Sequence, residues 1–244
     1  MSGLTARDIA YRCANLLNQL KGEGVISSDM ITKYTVSSRE SLHSYLQYVL
    51  IRAAEEEAEI KKSTLLPLPE YKIRLKQPLD PSRYGLSGKK RYYYRTDVGY
   101  QLKNEGDTKL IGLGEAYTLD LAHAAKPSAI LNWLSARDRL LHVRDHGKFG
   151  VDKPMFVILC HLPYQANTKP PWSEQKEILQ KSTGTLHQYY KAFINDWLDL
   201  IKDLNKGGNC DAYLVVLTEK CCHIFPNCRG RSKKSYWAGQ PLSF

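Results

Sequence analysis

PMFVILCHL (154–162) and AYLVVLT (212–218) are apolar runs without polar alternation, and between them TLHQYYKAFINDWLDLIKDLNKGG (185–208) carries helical periodicity up to a Gly-Gly stop. Unbroken apolar strands belong in the middle of a sheet that is covered on both faces. Strand, helical crossover and strand form the parallel βαβ unit. SEQKEIL (173–179) adds a second helical stretch to that crossover. Upstream, Ser128 opens a helix over SAILNWLSARDRLLHVRDHG (128–147), and EAYTLDLAHAA (115–125) reads as a helix ended by Pro127.

Residues 71–113 have strand chemistry. YKIRLK (71–76) alternates, RYYYRTDVGYQLK (91–103) is aromatic and β-branched, NEGD (104–107) is a turn, and TKLIGLG (108–114) returns as the partner strand of a hairpin. The proline-marked STLLPLPEY (63–71) reads as a break between two parts. Before it, Thr5 caps a helix with Ile9, Cys13, Leu16, Leu17 and Leu20 on one side. A short helix spans about 28–34, and SSRE (37–40) supplies a capping box, Ser37 with Glu40, for a long third helix. The fold expected is α+β (mixed α/β): a three-helix module over 1–62, then a mixed sheet flanked by helices over 65–244.

LLNQLKGEGVISSDMITKYTVSSRESLHSYLQYV (16–49), within residues 5–52, resembles the helix-turn-helix of the winged-helix family. The resemblance implies a DNA-binding module whose last helix enters the major groove. By position it assigns base reading to Ser38, Arg39, Ser41 and His43, with Ser44 near the backbone.

The formal net charge of +10 is unevenly spread. Residues 63–109 hold ten Lys and Arg against five Asp and Glu, and residues 207–244 hold five against two. Concentrated cations are the footprint of a polyanion, because neutralised phosphates release condensed counterions. Lys89, Lys90, Arg91 and Arg95 surround Tyr92, Tyr93 and Tyr94, and the C-terminal RGRSKKSYW (229–237) places Arg229, Arg231, Lys233 and Lys234 beside two aromatics. Tyrosines can stack bases while guanidinium groups hold phosphates. The bland counterpart is a strand with tyrosines in the core and cations in solvent. DNA or RNA is the expected partner, alongside a second copy of the chain. No apolar stretch is long enough for a membrane span, and MSGLTARDIAYRC has charges where a signal peptide needs its apolar core. An intracellular protein, cytoplasmic or nuclear, with reduced thiols is therefore expected.

Chemistry is thinly signalled. A phosphate-binding glycine loop, a dinucleotide fingerprint, a nucleophile elbow and HExxH are all absent from the sequence. Cys210, Cys221, His223 and Cys228, with Cys222, offer soft ligands for zinc, although paired CxxC knuckles are lacking. Asp138, His142 and His146 recur every four residues and would share a helix face. For a metal-dependent nuclease the residues to weigh are Asp211, Glu219 and Lys220, at the two ends of the second buried strand. The sequence therefore favours a basic nucleic-acid-binding protein. The alternatives are a structural or self-assembling protein, such as a viral coat, nucleocapsid or occlusion protein, and a metal-dependent nuclease.

Overall fold

The computed structural model describes residues 3–27, 30–31, 36–80, 82, 89–104, 106–118, 127–161, 186–217 and 222–226, with side chains for all of these except 36–41, 104, 127–135 and 186–195. The described helices are α1 (Ala6–Gly22), α2 (Val36–Lys61), α3 (Pro127–His146) and α4 (Leu186–Asn205). The strands are β1 (Leu65–Pro69), β2 (Lys72–Leu79), β3 (Arg91–Arg95), β4 (Val98–Asn104), β5 (Asp107–Thr118), β6 (Met155–His161), β7 (Asp211–Leu217) and β8 (Cys222–Phe225). Six strands form one mixed sheet in the order β1-β4-β5-β6-β7-β8, and β2 and β3 form a separate two-stranded ribbon. The class is α+β, as expected from the sequence.

The centre of the sheet is the parallel trio β5, β6 and β7, joined through α3 and α4. Every residue of β6 is buried, which is why its sequence lacks alternation. The two faces have separate cores. On one, Leu113, Phe156, Ile158, Leu214 and Val216 pack with Leu140 and Val143 of α3 and Trp197, Leu200 and Ile201 of α4. On the other, Ile111, Val157, Leu159, Val215 and Leu217 pack with α1 and α2. Asn205 fastens the end of α4 to β7 by two hydrogen bonds with the Ala212 backbone, of 2.8 and 2.9 Å.

The N-terminal helices do not have a core of their own. Ile9, Cys13 and Leu17 of α1 and Leu42, Leu46, Val49 and Leu50 of α2 share one cluster with strand residues, so the boundary expected at residue 62 does not separate two packed units. Thr5 does cap α1, reciprocally with Asp8. The short helix expected over 28–34 and the box at Ser37 and Glu40 lie largely outside the described residues, as do the helix expected over 173–179 and the C-terminal tail.

Three local expectations are corrected. LLPLP is strand β1, paired antiparallel to β4. It is an edge strand, where a residue without an N–H costs the ladder nothing on its open side. The stretch 91–103 is two strands, because the chain turns at Thr96 and Asp97 and sends β3 to the ribbon and β4 to the sheet. Finally, Glu115, Ala116, Tyr117 and Thr118 continue β5 rather than start a helix.

Candidate functional site

The carboxyl ends of β5, β6 and β7 lie together at Thr118, His161 and Leu217, the edge of a parallel sheet at which ligands commonly bind. Strand β4 runs the other way, so its start meets that edge, with Val98 opposite Gly114. Asp97, one residue before Val98, therefore sits beside Glu115. The two acidic residues approach from neighbouring central strands.

Asp97 is held on several sides. Its backbone carbonyl accepts from Glu70 N (2.7 Å) and from Gln47 Nε2 of α2 (3.1 Å). Its carboxylate accepts from Ala116 N at 2.7 Å and stands 3.5 Å from His43 Nε2. Thr96, buried just before it, has its hydroxyl 3.0 Å from the Gly114 carbonyl. Gly114 itself leaves no room for a side chain, since a Cβ would fall 2.6 Å from the Tyr100 hydroxyl.

Glu115 is 5% exposed. The nearby Thr96 and Tyr94 side chains favour its carboxylate, yet Oε1 has no partner among the described residues. Burial, then the charge of Asp97, pushes the Glu115 carboxyl up to about 8, against the pull of Arg139 from α3. Burial followed by the Glu115 charge raises the phenols of Tyr94 and Tyr117 well above their ordinary range. Trp197 lies against Tyr117 with ring centroids 4.8 Å apart. Two phenols and the Arg139 guanidinium thus surround Glu115 on the sheet face that carries α3 and α4, while Asp97, at the sheet edge, is held from the α2 side. Buried ionisable groups with shifted protonation, gathered in one place, mark a functional site.

The residues singled out in the sequence are distributed differently. His43 belongs to this site, directed at Asp97 from α2. Arg39 lies in α2, but its side chain is outside the described set, as are Arg229, Arg231, Lys233 and Lys234. Lys89, Lys90, Arg91 and Arg95 are exposed on or beside the ribbon; Lys90 pairs with Asp80 at 3.6 Å, and Arg95 pairs with Glu70. Of the zinc set, Cys221 and Cys228 are outside the described residues. Cys210 precedes β7, while His223 pairs with Val216 at its far end, so about 20 Å of strand separates them and the two cannot share one ion. Cys210 is buried, and that burial pushes its thiol up to about 12. Among the described residues, no three His, Cys, Asp or Glu side chains converge as a metal cage.

Of the other metal candidates, Glu219 and Lys220 lie outside the described residues, and His142, His146 and Asp211 serve the fold. His142 reaches the Gln77 carbonyl at 3.1 Å and lies against His146. Asp211 Oδ2 accepts from Ala6 N at 2.9 Å, which occupies it as an anchor for the start of α1. Asp97 and Glu115 escaped the sequence reading, although an acidic residue eighteen positions before another, the second on a glycine-flanked apolar run, was there to be found. No family model matches the chain, nor does any curated protein or solved structure. None of the described helices is long and apolar enough to cross a membrane.

Proposed function

We propose that the chain binds nucleic acid and cleaves it as a divalent-cation-dependent nuclease, with Asp97 and Glu115 as the cation's protein ligands. The observation that carries this reading is that Asp97 and Glu115 stand beside one another, next to register partners Val98 and Gly114, at the carboxyl edge of the central strands, with one buried Glu115 oxygen lacking a partner among the described residues. Magnesium-type ions are commonly held by one or two carboxylates, the remaining positions being filled by water and substrate phosphate. Two protein ligands therefore suffice. Such an ion supplies an activated water and neutralises charge on the phosphodiester as the P–O bond breaks.

The protein side of the chemistry divides among named groups. Glu115 gives up its proton when a cation binds, because only the carboxylate is a ligand. Asp97 stays fixed by Ala116 N and by the clamps on its backbone. Two residues beyond Glu115 on the same face stands Tyr117, where metal-dependent nucleases often carry lysine. The nearby positive charge comes instead from Arg139. The antiparallel pairing of β4 and β5 brings Asp97 and Glu115 together.

The test is cleavage of labelled single-stranded and duplex DNA and RNA with magnesium or manganese, against EDTA. Asp97→Asn and Glu115→Gln should each lower the rate by about a hundredfold or more, the scale of losing one electrostatic partner of a transition state. Cation-dependent cleavage that survives both substitutions refutes the assignment.

A further inference from the structure

The ribbon of β2 and β3 has two unlike faces. Its inner side chains, Ile73, Leu75, Leu79 and Tyr94, are buried in the core shared with α3 and α4. The ladder pairs Lys72 with Arg95 and Arg74 with Tyr93, so those four side chains alternate to the outside. Lys76 and Arg91 are also exposed. The ribbon is fixed in place, with Lys148 N donating to the Arg74 carbonyl at 2.8 Å and Leu75 bridged to Gly147.

Two features of this surface call for a ligand. Arg95 and Lys90 have carboxylate partners, but Arg74, Lys76, Lys89 and Arg91 have none among the described residues, so the face carries a row of uncompensated cations. Tyr93 stands out of it, 43% exposed, with Lys72 5.4 Å from its ring centroid, while Tyr92, 64% exposed, projects from the opposite side of the strand. A duplex keeps its bases stacked and offers tyrosines no flat face, and an acidic peptide offers no planar partner at all. An unpaired strand offers both phosphates for the cations and base faces for the rings. The ribbon also leads straight into the carboxyl pair, since Tyr92 precedes Asp97 by five residues, about 17 Å of extended chain.

We infer that the outer face of the ribbon is a platform for single-stranded nucleic acid. Tyr93 stacks a base, Arg74, Lys76, Lys89 and Arg91 hold phosphates, and the bound strand is delivered to the Asp97–Glu115 pair. This rests on the nucleic-acid reading above but not on the cleavage chemistry.

Fluorescence anisotropy on the full chain in EDTA, with a labelled oligothymidine and a duplex of equal length, separates the two. The single strand should bind more tightly than the duplex. Tyr93→Ala should weaken it by roughly 5- to 100-fold, with the salt dependence unchanged, and Tyr92→Ala, on the opposite side of the strand, should weaken it less. Tyr93→Phe, which keeps the ring, should restore binding. The double change Arg74→Gln and Arg91→Gln should instead flatten the slope of log affinity against log salt by about 1.4. Equal affinity for duplex with unaltered binding by the tyrosine variants overturns the platform, and so does an absence of binding at low salt. Binding that follows these expectations in a protein with no cation-dependent cleavage leaves the platform standing and removes the nuclease assignment.

Discussion

Asp211 and Glu115 sit at opposite ends of the central strands and have opposite fates. Asp211, at the amino end of β7, accepts from the first backbone N–H of α1. Glu115, near the carboxyl end of β5, is more deeply buried, yet one oxygen lacks a partner among the described residues and a second acidic residue stands beside it. Burying an ionisable group costs stability unless partners compensate. At the amino end the cost is met by capping a helix; at the carboxyl end it is left standing. An unmet cost beside a like charge is what a cation would relieve.

His161 sharpens the contrast, because it ends β6 at the same edge and is also buried. Its Nε2–H donates to the Ile31 carbonyl at 2.8 Å, fixing the neutral tautomer and tying the segment after α1 to the sheet. Burial holds its pKa down at about 4. Both His161 and Glu115 are thus pressed toward neutrality, one from above and one from below. Their effects on stability with pH must then have opposite signs.

The largest effect expected on stability comes from the packing that holds α2 over the site. Leu46 is fully buried, and Leu46→Ala should cost about 2 to 5 kcal/mol in denaturant unfolding. Next comes Glu115. Its folded pKa lies above the unfolded one, so its contribution is complete below about 4.5 and disappears as pH rises through about 8. Across that window wild-type stability should fall by up to about 1.4 kcal/mol per pH unit from this group, and Glu115→Gln should abolish that fall and be the more stable protein at pH 8.5. Acidification provides the counterpart. His161 binds fewer protons folded than unfolded, so its contribution is complete above about 6.5 and is lost as pH falls through about 4. A stability profile of Glu115→Gln, in which the opposing slope is gone, should expose that acid loss. The smallest effect is at the other end of the strands, where Asp211→Ala should cost about 1 kcal/mol, as loss of a helix cap does, and should leave cleavage unchanged.

How much of this was legible depended on whether a segment's form is set locally. The apolar β6 and β7, the periodic α3 and α4 and the Gly207–Gly208 stop, where both glycines have positive φ, could be read directly. The hairpin of β4 and β5 was legible from its turn, with Asn104 pairing to Asp107. The site was not. Glu115-Ala116-Tyr117-Thr118 contains helix formers and follows a glycine, which suggested a helix start. Their pairing with β6 makes them strand, a tertiary outcome that outweighs propensity. Gly114 looked like punctuation, but its small size admits Tyr100 and Leu50. The turn at Asp97 was hidden in a run of strand-forming residues, since only the ribbon's attachment to α3 shows why the chain must leave one sheet for another. Prolines in β1 read as a break because edge position cannot be seen in sequence.

Calorimetric titration of manganese into the protein at pH 6.5, 7.0 and 7.5 asks whether Asp97 and Glu115 hold a cation. If Asp97 and Glu115 hold a cation, one ion should bind per chain, with proton release visible as a buffer-dependent heat and an affinity that rises by about tenfold per pH unit below 8. Glu115→Gln should lose the site, while Asp211→Ala should keep it. An affinity independent of pH and unaffected by Glu115→Gln, or no binding at all, rules out a cation held by Asp97 and Glu115.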